Sequence, residues 1–424
     1  MVSTVALAGS AAVGMSGAGP ATAAAPISFA PAQFLDTASG VPFVVKAADF
    51  NNDGKPDLAT CDILQFGWGG MSIQMNYTEP GSTTTHFGGP FQLSGVPVSL
   101  GCDVADFNGD GKPDVVAADA SKLADGGVNI MLNHTEDGAA QPEFGQPQKF
   151  AGGLMPIWTL TADFNGDGKP DLAVGNTLNV GVNAIDIYLN NTPAGAQEVS
   201  FTGPFFFNGG MCVEGMAAGD INGDGAVDLV VGETVSSTVT VLMNRTSKGS
   251  MVADFQSSET VFPLATWVTL HDMNGDDRPD LLTNIGFFGT PLNGLWTSVN
   301  NTAAGSMTPN FQGLLDGAKG QPAGGWATEG TAIADYDGDG KPDAAIASPY
   351  INPRNPVTVL RNTTADGAQS LTFDAPVIAG DAGWAPNGID TADFNGDGKP
   401  DIVTSQFLSL TGGQGLAVLI NTTR

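Results

Sequence analysis

Basic residues are scarce in this chain. Lys and Arg number 15 against 44 Asp and Glu, for a formal charge of −29. Six of the 15 recur at one position of a repeat (Lys55, Lys112, Lys169, Arg278, Lys341 and Lys399), so they are scattered rather than gathered. A nucleic-acid partner needs a basic stripe, and none is present. Histidine is scarcer still. His86, His134 and His271 fall at unrelated places, and no Ser-His-Asp or Cys-His arrangement suggests nucleophilic catalysis. No stretch keeps a helical period, which removes coiled coils and bundles. No segment reads as a membrane span; the apolar N-terminal run is too rich in Gly and Ser. Cysteine is limited to Cys61, Cys102 and Cys212. Isolated buried thiols are the plain reading; pairing of Cys61 with Cys102 is the alternative, with Cys212 left over in either case.

Glycine is plentiful, at 58 residues, and much of it sits with aspartate in one nonapeptide typified by D-F-N-G-D-G-K-P-D at 163–171. Oxygen-bearing side chains at positions 1, 3, 5 and 9 of a tight turn converge on one centre. The carbonyl of position 7 adds another oxygen, and Gly at position 6 permits the bend. That is a cage for a hard divalent cation, Ca²⁺ above all. The nonapeptide occurs seven times, its first Asp advancing by 57, 57, 57, 52, 63 and 58 residues. The candidate ligands are Asp49, Asn51, Asp53, Lys55 and Asp57; Asp106, Asn108, Asp110, Lys112 and Asp114; Asp163, Asn165, Asp167, Lys169 and Asp171; Asp220, Asn222, Asp224, Ala226 and Asp228; Asp272, Asn274, Asp276, Arg278 and Asp280; Asp335, Asp337, Asp339, Lys341 and Asp343; and Asp393, Asn395, Asp397, Lys399 and Asp401. These loops hold half of the 44 acidic residues, so the acidity is mostly metal-site chemistry, and up to seven Ca²⁺ are expected.

A helix–loop–helix calcium site is excluded, because it needs a Glu at position 12. Here that position holds Thr60, Ala117, Val174, Val231, Thr283, Ile346 and Thr404. The run after each loop, such as D-L-A-V, favours strand, so the loop is expected inside a β-hairpin. Each unit of about 57 residues reads as four short strands. A stretch opening on a Phe comes first (Phe29, Phe87, Phe144, Phe201, Phe255, Phe311, Phe373), then a strand into the loop, a strand out of it, and an alternating strand ending in Asn-x-Thr. Four-stranded units repeated four to eight times mark a β-propeller. Loop position 2 is apolar throughout (Phe50, Phe107, Phe164, Ile221, Met273, Tyr336, Phe394) and is expected in the packing between blades. The chain opens on the Phe strand and closes on the Asn-x-Thr strand, so the N-terminal strand is expected to complete blade seven. Residues 1–26 look like the later part of a signal peptide, with a disordered Ala/Gly leader as the alternative; the propeller is assigned to 27–424.

With its D-x-N-x-D-G-x-x-D loop and V-x-V-L-x-N-x-T strand, the unit resembles the FG-GAP/VCBS repeat of integrin α-subunit propellers and many secreted bacterial proteins. The resemblance implies a seven-bladed all-β propeller of four-stranded blades with Ca²⁺ in the A–B hairpin loops, and a secreted or cell-surface setting. Loop 5 departs from the pattern with Asp277 for Gly, loop 4 with Ala226-Val227 for Lys-Pro, and loop 6 with Asp337 for Asn.

The Asn-x-Thr sequences at Asn76, Asn133, Asn190, Asn244, Asn300, Asn362 and Asn421 are glycosylation sequons in form, but their fixed place in the repeat favours a strand-end turn. Trp158, Trp267, Trp326 and Trp384 precede or open the strand into the loop. With Glu214, Glu329 and Asp381 near them, they are candidates to line one channel mouth and stack sugars, although packing between blades is the favoured reading. Three functions remain. The first is a non-catalytic, monomeric binding or adhesion module with a protein or glycan ligand. A carbohydrate-binding lectin and a propeller-based polysaccharide lyase or hydrolase are the alternatives, and fold does not choose among them.

Overall fold

A computed structural model describes residues 26–38, 41–65, 68–96, 99–120, 126–178, 184–210, 212–233, 238–261, 267–285, 294–312, 330–348, 356–383, 386–406 and 414–424. They form seven four-stranded antiparallel sheets, the seven-bladed propeller that the repeat predicts. The first strands of the blades are Val41–Ala48, Cys102–Ala105, Pro156–Ala162, Val213–Gly219, Trp267–His271, Gly330–Ala334 and Pro386–Ala392. Blade three shows the plan: Pro156–Ala162, Asp171–Asn176, Ile185–Asn190 and Phe201–Phe207 lie side by side in that order. Its two middle strands, DLAVGN and IDIYLN, are buried at every residue. Short apolar runs bounded by turn residues suit strands covered on both faces, here by the adjoining blades. The outermost strand, FTGPFFF, is only partly covered.

Blade seven is assembled from both ends of the sequence. Pro386–Ala392, Asp401–Gln406 and Gln414–Leu419 take Gln33–Asp36 as their fourth strand, with Phe34 opposite Ala417. Ala30 N–H donates to the Ile420 carbonyl at 2.8 Å and Thr422 N–H to that of Ser28 at 2.8 Å. Phe29 bridges to Asn421. The contacts of this segment repeat those inside a continuous blade, so the ring has no open edge here.

First strands face the axis. Phe43 lies 5.9 Å from Trp158, and Trp158 packs edge-on to Trp267 at 4.8 Å between ring centroids. These rings belong to blades one, three and five, which are not neighbours, so they meet only across the central channel. Further along, Lys46 Nζ is 3.2 Å from Asp103 Oδ1, and Asp390 Oδ2 accepts from Ala47 N–H at 2.9 Å. Burial alone would lower the Lys46 pKa; the Asp103 and Asp390 carboxylates override it and hold the ammonium charged. Blades seven, one and two are thereby joined at the axis.

The expectation of isolated thiols is corrected for two of the three cysteines. Cys61, in the second strand of blade one, is disulfide-bonded to Cys102, in the first strand of blade two, with Cα atoms 6.0 Å apart. Adjacent blades bring side by side two positions that are 41 residues apart in sequence.

Deleting residues 27–36 is expected to lower the melting temperature of the whole ring in one transition, because blade seven loses its outer strand and blade six its Phe29–Tyr336 contact. Calorimetry of the truncated chain checks this, and an unchanged melting curve would sink it.

Candidate metal centre

Each nonapeptide joins the first and second strands of a blade and folds into the same turn. In loop 1 the Asp49 carboxylate accepts from Asp53 N–H (3.1 Å) and Gly54 N–H (2.8 Å). Asn51 Oδ1 accepts from Asp53 N–H at 3.2 Å, and Asp53 Oδ1 from Lys55 N–H at 2.9 Å. Asp57 is fully buried, and its two oxygens take Phe50 N–H (2.9 Å) and Asn76 N–H (2.7 Å). Position 6 lies in the left-handed region, with φ of +83° at Gly54 and +90° at Gly168, which is why glycine belongs there.

The loops also tie each blade to the next. Asn133 of blade two donates its amide to the Phe50 carbonyl of loop 1 at 2.9 Å. The same bond recurs from Asn190 to Phe107, Asn244 to Phe164, Asn300 to Ile221, Asn362 to Met273, Asn421 to Tyr336 and Asn76 to Phe394. All seven blade junctions are therefore made alike. These are the asparagines of the Asn-x-Thr sequences, each at most 2% exposed. Their Oδ1 atoms accept from the N–H two residues on, as Asn76 does from Thr78 at 2.9 Å, so the strand-end turn is what they build. The turn is legible in the sequence, but the reach of the amide into the neighbouring loop is not. The Phe that opens each outer strand meets loop position 2 of the preceding blade, as in Phe144 on Phe50 at 5.8 Å and Phe87 on Phe394 at 6.0 Å.

Three loops differ. In loop 4, Ala226 donates its N–H to Asp224 Oδ1 at 2.9 Å, the bond that Lys55 makes to Asp53 in loop 1. Loop 5 holds Asp277 at φ +64° where the other loops have Gly. In loop 6, Asp337 Oδ2 pairs with Arg361 Nε at 2.6 Å. One oxygen each from Asp335, Asp337 and Asp343 lie within 4.8 Å of one another, a spacing that suits a shared cation.

The donor set fits a hard cation. It is all oxygen, and its buried members are uncompensated: burial raises the pKa of each position-9 carboxyl, backbone N–H bonds only partly oppose this, and the carboxylates beside it raise it further. Asp57, Asp114, Asp171, Asp228 and Asp343 are pushed up to about 7, Asp280 to about 6 and Asp401 to about 8. A divalent ion would reverse that repulsion and release the proton.

The two candidate tryptophans among the described residues, Trp158 and Trp267, pack against each other. Trp158 is 7% exposed and its ring is engaged by Phe43 and Trp267. Trp326, Trp384 and Glu329 lie outside the described residues. Glu214 sits in the first strand of blade four and Asp381 ends the outer strand of blade six, two blades apart.

The family model for the FG-GAP-like repeat matches residues 106–174, 163–231, 220–283 and 335–404, more than half of the chain. The chain belongs to the FG-GAP-like repeat family. No curated protein matches it. Among solved structures, the BP39L lectin from Burkholderia pseudomallei is similar with a TM-score of 0.56 and 11% identity, covering 88% of this chain and 94% of the lectin. BBS1N in complex with ARL6DN is similar with a TM-score of 0.54 and 10% identity, covering 94% of this chain and 97% of that one. At such identity these likenesses bear on the fold alone.

Two outcomes are expected of this FG-GAP-like ring. Asn190→Ala removes the donors to the Phe107 and Pro170 carbonyls and leaves buried acceptors unpaired, at a cost of roughly 2–4 kcal/mol. Urea unfolding of the variant measures it, and a loss under about 0.5 kcal/mol would refute the junction role. The second concerns pH. Position-9 carboxyls have folded pKa values above the unfolded 3.8, so their protonated form stabilises the metal-free fold. That stability is complete below about 4 and is lost as pH rises through about 7. In chelator, the melting temperature should fall between pH 5 and 8; a rise over that interval contradicts the assignment.

Proposed function

We propose that this chain is a calcium-stabilised, non-catalytic propeller that works as a secreted or cell-surface binding module, a monomer engaging a protein or glycan ligand. The observation that carries the calcium reading is the repeated turn itself. At each blade junction two or more carboxylates stand beside a buried Asp, as Asp49 and Asp53 stand beside Asp57, and the same turn accepts the amide of the next blade. Calcium there neutralises the turn and fixes the junction, and so sets the rigidity of whatever surface the ring presents. Millimolar extracellular Ca²⁺ suits such sites, since extracellular modules bind at ~10⁻⁴ to 10⁻³ M.

The Cys61–Cys102 disulfide supports an oxidising compartment. No helix among the described residues is long and apolar enough to cross a membrane. The binding role draws support from the uses of the same fold: one similar structure is a lectin and another is in complex with ARL6DN. The axial tryptophans do not favour a lectin here, because Trp158 spends its ring face on Phe43 and Trp267.

Calcium should raise the melting temperature. At ten times the dissociation constant each site adds about 1.4 kcal/mol, and several together give a rise on the order of 10 °C for a chain of this size. Differential scanning calorimetry in EGTA and then in millimolar Ca²⁺ reads it directly. Identical melting curves would remove calcium from the function.

A further inference from the structure

The seven turns are not equivalent in how they meet a cation. In four loops the Lys at position 7 turns away from the carboxylates and donates to a threonine carbonyl of its own blade: Lys112 to Thr135, Lys169 to Thr192 (2.7 Å), Lys341 to Thr364 and Lys399 to Thr423. Loop 5 does the opposite. Arg278 folds inward, its Nη2 donating to Asp276 Oδ2 at 2.6 Å while its backbone N–H donates to Asp276 Oδ1 at 3.2 Å. Both oxygens of the position-5 ligand are thus held by one residue. In loops 1 to 4 the second oxygen receives only the neutral amide of the position-3 Asn, at 3.0 to 3.4 Å. A divalent ion displaces an amide more easily than a guanidinium, whose charge-assisted bond is about twice as strong. Asp277 adds a second, independent departure. It is the one non-glycine at position 6, held at φ +64°, in the left-handed region that side chains disfavour.

We propose that Arg278 is the resident cation of loop 5, and that this loop does not take Ca²⁺ in the range where the other six do; loop 6, whose Asp337 also meets a guanidinium, differs in keeping one oxygen each of Asp335, Asp337 and Asp343 within 4.8 Å of one another. The proposal rests on the calcium reading above. Its structural consequence is local. The junction between blades five and six, made by Asn362 to Met273, Asn274 to Ala368 and Gly367 to Asn274, stands without metal, while the other six junctions loosen when calcium is withdrawn.

Equilibrium dialysis of the intact chain against ⁴⁵Ca²⁺ tests this. Six ions should bind in one affinity range, with the seventh at least tenfold weaker. The double variant D277G/R278K, which restores the residues found in most of the other loops, should bind seven alike. Hydrogen exchange provides a readout that does not depend on stoichiometry: on adding EGTA, amides 273–280 should keep their protection while those of 107–114 and 164–171 lose it. Seven equal sites in the unaltered chain, or a double variant that still binds six, would overturn the proposal and leave the calcium reading standing. Uptake of no calcium by any loop would overturn both.

Discussion

The ring depends on one hydrogen bond made seven times. An asparagine amide at the end of each third strand donates to the backbone of the preceding blade's loop, as Asn190 does to Phe107 at 2.9 Å. A net contribution of about 1 kcal/mol each makes the set comparable with the whole stability of a domain, roughly 5–15 kcal/mol. The bonds are also conditional. The carbonyls they reach are aimed by a turn whose shape requires carboxylates packed together at close range. Each blade's hold on its neighbour therefore passes through a cluster of like charges. The buried Asp at position 9 shows the conflict most clearly, since both its oxygens accept backbone N–H groups of its own blade while burial favours its neutral form. A cation held in the turn would favour the charged form and so oppose that conflict.

The same logic accounts for the scarcity of charge elsewhere. Middle strands such as DLVVGE are buried at every residue, because each sheet is covered by its neighbours on both faces. Acidic residues concentrate where backbone N–H groups and a metal can satisfy them. Four of the lysines at position 7 (Lys112, Lys169, Lys341 and Lys399) bond a threonine carbonyl, as Lys169 ties the loop to the end of its own third strand. Arg278 is the exception, and its longer, forked side chain turns the same position into a partner for the cage.

The fold was legible in the sequence because its information is periodic. Seven copies of one turn fix the number of blades, and the Phe and Asn-x-Thr runs fix the strand order. The apolar character of loop position 2 also pointed correctly to the packing between blades, now visible as Phe107 against Phe201. Contacts between residues of different units, not repeated around the ring, were not decided by the repeat, and the Cys61–Cys102 pairing stood only as the alternative to isolated thiols. The Cys61–Cys102 bond joins positions with no counterpart in other blades. The axial contact of Phe43, Trp158 and Trp267 joins blades that are not neighbours in sequence or around the ring. The inward turn of Arg278 is a matter of rotamer, which no spacing encodes. Periodicity reports what every unit shares and is silent on what one unit does alone.

The substitution in loop 6 shows a departure from the repeat being set by topology. In six loops the position-3 Asn bonds the hairpin turn between the third and fourth strands of the next blade: Asn51 donates to Ala139 at 2.9 Å, and Gly138 N–H returns to the Asn51 carbonyl at 2.6 Å. The blade following loop 6 is blade seven, whose third and fourth strands are Gln414–Leu419 and Gln33–Asp36. They come from opposite ends of the sequence, so among the described residues no hairpin turn stands there to accept an amide. An Asn at 337 would bury an amide N–H₂ that no such carbonyl meets. An Asp has no donor to satisfy, and its charge is answered by Arg361 of the same blade at 2.6 Å. The rest of that junction is built as elsewhere, with Asn421 on the Tyr336 carbonyl at 2.9 Å, and with Ser28 N–H on Thr423 Oγ1 at 3.0 Å in the place that Ser200 N–H takes on Thr192. Closing a linear chain into a ring thus costs one repeated contact. The sequence changes at the residue that would have made it.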